Sequence, residues 1–170
     1  MQVWKFGGTS VESTEKITNV ANRVKGEKEN GHDIVVVVSA MGKATDELSI
    51  LAFELADSPS KREMDMLLSS GEQVTMALLS LKLNAIGIEA ISLTGAQAGL
   101  ITDSVHRNAK VMKMDPSKID GLLAKNKVVI VAGFQGISEA GEITTLGRGG
   151  SDTTAVAIAA SIEAEVCDIY

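Results

Sequence analysis

Apolar residues along the chain form two kinds of pattern. Two runs, Ile34–Val38 and Val128–Ala132, are apolar throughout and mostly β-branched, which is typical of strands buried on both faces of a parallel sheet. Outside these runs, apolar residues recur every three or four positions, as they do on one face of a helix. The clearest set is Ile17, Val20, Ala21 and Val24. This alternation predicts an α/β fold with three layers, αβα, around a mainly parallel central sheet.

The remaining pattern adds elements around these two runs. Further strands are predicted over residues 3–6, 89–93, 100–102, 110–114 and 166–170, the third and fourth as a small antiparallel pair. A hairpin is expected over residues 137–145. Residues 63–83 have helical spacing, and Gly71 predicts a kink or a restart there, with Ser70 capping the second piece. The chain stops inside a strand, so we expect residues 1–170 to be one domain, incomplete at its C-terminal end.

Composition narrows the class of protein. A chain of 170 residues, 45% of them hydrophobic, is long enough for one domain with a substantial core. A net charge of −6 and only 3% aromatic residues argue against nucleic-acid binding, which uses basic faces and stacking platforms. The single cysteine, Cys167, has no partner for an internal disulfide, and no apolar run is long enough to span a membrane. We therefore expect a cytoplasmic protein.

Glycines and small residues follow several of the predicted strands. They form the loops Gly7-Gly8, Ser39-Ala40-Met41-Gly42 and Gly133-Phe134-Gln135-Gly136. Ligands of open parallel sheets bind beyond the carboxyl ends of the strands, where such loops bring backbone N–H groups close to an anion. The chain lacks the P-loop and dinucleotide fingerprints, and His32 and His106 are expected to be isolated surface residues, so no metal site is predicted.

The densest candidate stretch runs from Gly147 to Asp152. Arg148 lies between two glycines, and Gly149, Gly150, Ser151 and Asp152 lead into an apolar helix. Helix N-termini attract anions, and a guanidinium is suited to a carboxylate or a phosphate. The alternative is a plain turn in which Ser151 or Asp152 only caps the helix.

Two charged residues interrupt otherwise apolar elements. Lys5 belongs to the first strand and lies two residues before Gly7, so it either neutralises a phosphate or ends the strand in solvent. Glu72 follows Gly71 within the long helical segment. It either satisfies a helix N-terminus or binds an ammonium group, and the sequence pattern alone does not separate these alternatives.

Taken together, five motifs resemble those of aspartokinases, which belong to the amino acid kinase superfamily. In chain order the motifs are Lys5-Phe6-Gly7-Gly8-Thr9-Ser10, Ser39-Ala40-Met41-Gly42, Ser70-Gly71-Glu72, Gly133-Phe134-Gln135-Gly136 and Thr145-Leu146-Gly147-Arg148-Gly149-Gly150-Ser151-Asp152-Thr153. Each motif is weak by itself, but five in the right order and spacing are specific.

The resemblance implies a role for each matching residue. It assigns ATP binding to Lys5, Phe6, Gly7, Gly8 and Ser39, and substrate binding to Thr45, Glu72, Arg148, Gly149, Gly150 and Ser151. In this scheme Lys5 neutralises the transferring phosphoryl group and Asp152 orients Lys5. Glu72 binds the α-ammonium of the substrate, and Arg148 binds its α-carboxylate.

The resemblance also implies an activity. Aspartokinases transfer the γ-phosphoryl group of ATP to the β-carboxylate of L-aspartate, the first step toward lysine, threonine and methionine, with Mg²⁺ held mainly through the nucleotide phosphates. Family members continue into a nucleotide-base segment and regulatory ACT domains, which are absent from the sequence. We therefore expect an N-terminal catalytic part, weak or inactive alone, from a protein that forms homo- or hetero-oligomers. The alternatives are a related kinase with another carboxylate substrate and a non-catalytic assembly module.

Overall fold

The computed structural model describes all residues 1–170 and contains nine strands and five α-helices. In chain order they are β1 (Gln2–Phe6), α1 (Thr14–Glu29), β2 (Ile34–Val38), α2 (Ala44–Leu55), α3 (Lys61–Ala85), β3 (Ala90–Leu93), β4 (Leu100–Thr102), β5 (Val111–Met114), α4 (Ser117–Leu123), β6 (Val128–Ala132), β7 (Gln135–Ser138), β8 (Ile143–Thr145), α5 (Gly150–Ser161) and β9 (Val166–Ile169). None of the helices combines the length and the apolar composition that a bilayer crossing requires.

The core of the fold is a five-stranded sheet with all strands parallel, in the order β3-β6-β2-β1-β9. Its two central strands, β2 and β6, are the continuous apolar runs, and every residue in both is buried. Side chains alternate between the two faces of a strand, so each face of these strands needs a covering layer.

Helices supply both layers. One face of the sheet packs against apolar residues of α1 and α3, among them Val24, Leu79 and Leu83. The other face packs against α4 and α5, through residues such as Ile119 and Ile158. The predicted three-layer αβα architecture with a mainly parallel sheet is confirmed.

A second sheet lies beside the first, with the strand order β5-β4-β7-β8. It joins the predicted antiparallel pair, β4 and β5, to the predicted hairpin, β7 and β8, through a parallel pairing of β4 with β7. The sequence pattern predicts both halves of this sheet, but it does not predict that they pair with each other.

The predicted helix restart at Gly71, with Ser70 as its cap, is wrong, because α3 is one continuous helix of 25 residues. Its N-terminus is capped by Ser60, whose hydroxyl accepts from the N–H of Glu63, and Ser70 lies in mid-helix. Gly71 serves close packing instead. A Cβ at this position would lie 2.9 Å from the Cβ of Ala40, so only glycine lets the loop after β2 lie this close to the helix.

The N-cap of α5 is also not the residue that the sequence predicts, since neither Ser151 nor Asp152 caps the helix. Its N-cap is Gly149, at a left-handed φ of 77°, and no side chain caps the helix. The backbone turns at the glycine, so Ser151 and Asp152 lie inside the first turn of α5. Their side chains accept no hydrogen bond from the N–H groups at the helix N-terminus. The hydroxyl and carboxylate that the sequence offers as caps are therefore free for other contacts.

Candidate active site

One pocket of about 290 Å³ lies at the carboxyl ends of β1, β2 and β6. It brings together all but two of the predicted site residues, namely Lys5, Gly8, Ser39, Thr45, Glu72, Arg148, Gly149, Gly150, Ser151 and Asp152. Four further residues complete the lining, namely Ala40, Gly42, Phe134 and Gly147. Residues that are up to 147 positions apart in the sequence thus meet where the sheet topology predicts a ligand.

Phe6 and Gly7 do not line this pocket. The side chain of Phe6 is buried and stacks on Tyr170, with ring centroids 5.0 Å apart. The N–H of Gly7 donates to the carbonyl of Tyr170 at 2.9 Å, so it is engaged within the fold. The next residue, Gly8, has an N–H group with no acceptor in the structure. Of the two glycines, Gly8 is therefore the one with a donor to offer.

The loop from Ser39 to Gly42 forms the wall around Gly8. The N–H of Ser39 donates to the carbonyl of Phe6, and the N–H of Gly42 donates to the carbonyl of Gly8. A Cβ on Gly8 would lie 2.9 Å from the carbonyl oxygen of Ala40, so the approach requires a glycine. The hydroxyl of Ser39 has no partner in the structure and remains available as a donor.

Lys5 is paired across the pocket with Asp152. Its Nζ lies 2.8 Å from Oδ1 of Asp152, and only 12% of the lysine side chain is exposed against 50% of the aspartate. The two groups meet as an ion pair without the alignment of a hydrogen bond. Because Asp152 does not cap α5, its local role in the structure is this contact with the lysine.

The N-terminus of α5 offers several unused donors. The N–H groups of Arg148, Gly149 and Ser151 have no acceptor, and the helix dipole places partial positive charge at the same point. Arg148 is exposed and forms no ion pair. This arrangement can bind one anionic group through both the backbone and a guanidinium.

Glu72 is the most unusual group in the pocket. Only 3% of the residue is exposed, although it is a carboxylate in the middle of a helix. Its Oε1 accepts from the N–H of Ala40 at 3.2 Å, and its Oε2 is buried without any partner. Burial raises the pKa of Glu72 to about 7, an effect that backbone hydrogen bonds only partly oppose. A buried, half-satisfied carboxylate is typical of a group that awaits a cationic ligand.

The charges of the pocket can now be compared. Two cations, Lys5 and Arg148, and two carboxylates, Glu72 and Asp152, line it. Lys5 and Asp152 neutralise each other, which leaves Arg148 and Glu72 unpaired. One free guanidinium and one free carboxylate in the same pocket are complementary to the carboxylate and the ammonium of an α-amino acid.

The two histidines lie outside this pocket and are not isolated. His106 Nδ1 lies 2.7 Å from Oδ2 of the buried Asp65, and His32 Nδ1 lies 2.6 Å from Oε1 of Glu27. The side chain of His32 is 43% exposed and that of His106 is 21% exposed, so both reach the surface, but each has one carboxylate neighbour and is not isolated. The carboxylate partners are not apparent from the sequence, because Asp65 is 41 residues from its histidine.

A parallel sheet between helical layers, with glycine loops and paired charges at its carboxyl edge, is an arrangement that can bind small anions. A family model described as the amino acid kinase family matches residues 1–170, and the chain belongs to this family.

Within that family, the chain is similar to aspartokinases. It is 64% identical over 168 residues to an aspartokinase of Bacillus sp. (strain MGA3), and 62% identical to one of Geobacillus stearothermophilus. Each match covers 99% of this chain and 41% of the relative, so the chain spans about two fifths of these proteins. The crystal structure of the aspartate kinase from Synechocystis has a TM-score of 0.84 and 53% identity, with 100% of this chain and 28% of that chain covered.

Proposed function

We propose that the chain forms the amino-acid-binding and phosphoryl-transfer part of an aspartate kinase, which converts L-aspartate and ATP to 4-phospho-L-aspartate and ADP. The observation that carries the proposal is the pair of unsatisfied charges, Glu72 and Arg148, in a pocket rich in unused N–H donors. The relatives named aspartokinase at 64% and 62% identity support the choice of aspartate.

The amino-acid side of the pocket consists of Thr45, Glu72 and the loop from Arg148 to Ser151. Here Oε2 of Glu72 binds the α-ammonium of aspartate, while Oε1 of Glu72 keeps its hydrogen bond from the N–H of Ala40. Arg148 receives the α-carboxylate, together with free N–H groups at the start of α5. The hydroxyls of Thr45 and Ser151 complete the lining.

The phosphate side of the pocket consists of Lys5, Gly8, Ser39 and Asp152. Lys5 stabilises the negative charge on the transferring phosphoryl group, and Asp152 keeps the ammonium of Lys5 aimed into the pocket. The free N–H of Gly8 and the hydroxyl of Ser39 donate to phosphate oxygens. Phe6 and Gly7 do not face the pocket. Their backbone hydrogen bonds support the loops that carry these groups.

The proposed reaction needs no general base. The β-carboxylate of aspartate is ionised at neutral pH and is itself the nucleophile that attacks the γ-phosphorus. The requirement is to align two anions and to stabilise the charge, which the cations and N–H donors of this pocket supply. The absence of a histidine from the lining therefore fits this chemistry.

Mg²⁺ would enter this pocket as part of Mg-ATP. No group of three side chains of the types that ligate metals is present, and the one half-exposed carboxylate, Asp152, is already paired with Lys5. The phosphates would therefore provide most of the ligands. We also place the activity at the start of lysine, threonine and methionine biosynthesis, in a cytoplasmic protein, and expect the full-length kinase to be oligomeric.

The experiment that tests this function is a substrate comparison in the full-length protein. With Mg-ATP and L-aspartate, we expect ADP release together with an acyl phosphate that hydroxylamine traps as the hydroxamate. N-acetyl-L-aspartate has no ammonium group for Glu72, so we expect no turnover above background. Equal turnover of both compounds would contradict the roles given to Glu72 and favour a kinase of another carboxylate.

A further inference from the structure

The structure contains a buried carboxylate that the proposed function does not use. Asp65 lies on α3, and its side chain is completely buried. Both of its oxygens accept from the N–H of Arg107 at 3.1 Å, Oδ1 also accepts from the hydroxyl of Thr145, and Oδ2 lies 2.7 Å from Nδ1 of His106. A carboxylate removed from water requires such a complete set of partners. Asp65 therefore has no capacity left for a ligand and is a structural junction.

The junction joins three segments that are far apart in the sequence. They are α3, the end of β8, and the connection between β4 and β5 that contains His106 and Arg107. The connection also contacts the chain just after Thr145. The N–H of Ala109 donates to the carbonyl of Thr145 at 3.0 Å, and the side chain of Asn108 lies against Gly147.

These contacts lead directly to the amino-acid side of the pocket. Thr145 precedes Arg148 by three residues, so the bond from Thr145 to Asp65 fixes the chain where the arginine loop begins. Asp65 also precedes Glu72 by seven residues, about two turns of the same helix and hence on the same face. One side chain thus ties the helix that carries Glu72 to the strand that leads to Arg148.

We propose that Asp65 is the positioning residue that sets the separation between the ammonium-binding Glu72 and the carboxylate-binding Arg148. This inference rests on the proposed function, since it assigns those two residues to one amino acid. A zwitterion has a fixed distance between its two charges, so a shift of β8 against α3 weakens one contact or the other. The phosphate side has additional supports that do not involve Asp65, namely β1, the loop after β2 and the Lys5–Asp152 ion pair.

The test uses two variants of the junction in the full-length protein. Asp65→Asn keeps the shape of the side chain but replaces one acceptor oxygen with an amide, and Thr145→Val removes a single donor. We expect the aspartate KM to rise about tenfold for Asp65→Asn and about threefold for Thr145→Val, with the ATP KM and kcat changed by less than about twofold.

Thr144→Val is the matched control. Thr144 is equally buried on the same strand, but it points to the other face, where its hydroxyl bonds that of Thr102 at 2.6 Å. We expect both KM values to change by less than about twofold in this variant, although it also loses a buried hydrogen bond.

The positioning role is refuted if the folded Asp65→Asn protein keeps the wild-type aspartate KM, or if Thr144→Val raises that KM as much as Thr145→Val does. Thr145→Val alone decides the question where Asp65→Asn does not fold. A wild-type protein that phosphorylates no aspartate refutes the proposed function, and this inference with it. Failure of the positioning role and failure of the proposed function are thus distinguishable, because only the latter is seen in the wild-type protein.

Discussion

The two carboxylates of the pocket have opposite environments. Asp152 is half-exposed and already paired with Lys5, whereas Glu72 is buried and has one oxygen without a partner. The phosphate side of the pocket is therefore neutralised before a ligand arrives, and the amino-acid side is not. The buried, unpaired charge of Glu72 destabilises the unliganded pocket, and a cationic ligand that pairs with it gains this free energy on binding. A ligand with an ammonium group relieves a cost at Glu72, whereas a ligand at Lys5 must compete with Asp152.

The largest expected effect comes from removing the cation of the neutralised side. In Lys5→Ala, Asp152 remains as an unpaired negative charge beside the transferring phosphoryl group. We expect kcat to fall by about 10³-fold, as when an enzyme loses a main group that stabilises transition-state charge. The measurement is the steady-state rate of ADP release with saturating aspartate and ATP.

Lys25→Ala is the control, since Lys25 is a half-buried residue of α1 that contacts Glu29 and the carbonyl of Ile86 and does not line the pocket. We expect its kcat to equal that of the wild-type protein. A near-normal kcat for Lys5→Ala would remove this lysine from the mechanism and would leave the Lys5–Asp152 pair as a structural contact only.

The second effect concerns stability. It measures the free-energy cost of burying the ionised carboxylate of Glu72. The pKa of Glu72 is about 7 in the fold, against 4.5 for a glutamate side chain in water. The folded state therefore binds more protons than the unfolded state between these values, and the free energy of unfolding decreases as pH rises through this range. At pH 8, Glu72→Gln removes the whole cost, so we expect it to stabilise the unliganded protein by about 3 kcal/mol.

Denaturant unfolding at several pH values checks this expectation. The gain of Glu72→Gln should shrink as pH falls below 7 and vanish near pH 4, and the exposed Glu54→Gln should show no such trend. Aspartate should no longer stabilise the Gln variant, because the amide cannot neutralise an ammonium group. A gain independent of pH would mean that Glu72 is not ionised in the wild-type protein at pH 8.

The third effect tests the other end of the amino acid. Arg148→Ala removes an exposed cation with no partner in the structure, so little stability is lost. We expect the aspartate KM to rise about thirtyfold, as for the loss of charge-assisted hydrogen bonds, while the ATP KM changes by less than about threefold.

Arg148→Lys sharpens this test. The lysine keeps the charge but not the planar pair of donors, so we expect it to recover only part of the affinity. An equal rise of both KM values in Arg148→Ala would place the guanidinium between the two substrates and would contradict the division of the pocket into two sides.

The sequence predicts those parts of the fold and site that depend on local pattern and chain order. Short, continuous β-branched runs favour buried strands, and the predicted bounds of β2 and β6 are correct to the residue. Parallel strands align their carboxyl ends, so the loops that follow them meet in one pocket. This is why Gly8, Ser39 and the Arg148 loop are found together without any local contact that requires it.

Features that depend on contacts between distant segments are not predictable in this way. Asp65 reads as an ordinary polar residue of a helix, yet its hydroxyl partner lies 80 residues further along the chain. The sequence also leaves Glu72 undecided between a helix terminus and an ammonium site, because burial and an unpartnered oxygen are tertiary properties. For the same reason the sequence indicates a kink or a restart at Gly71, since the contact of Gly71 with the distant Ala40 is also a tertiary property.

Gly71 also offers the smallest of these tests, beside a hydrogen bond that joins the two sides of the pocket. The N–H of Ala40, in the loop of the phosphate side, donates to Glu72 of the amino-acid side. Gly71 lies beside this bond, and Gly26 of α1 provides the comparison, since a Cβ there would meet nothing within 4 Å. Replacement of an unconstrained helical glycine by alanine stabilises a protein by about 0.5–1 kcal/mol, which we expect for Gly26→Ala.

For Gly71→Ala we expect the opposite sign. The new methyl group would lie 2.9 Å from the Cβ of Ala40, so the loop must move away from α3 and stretch its bond to Glu72. We expect a loss of about 1 kcal/mol despite the better helix propensity, as for other overpacked positions. Denaturant unfolding of both variants decides the matter. If Gly71→Ala stabilises the protein as much as Gly26→Ala, the loop is free to move, and the two sides of the pocket are not mechanically joined through Ala40.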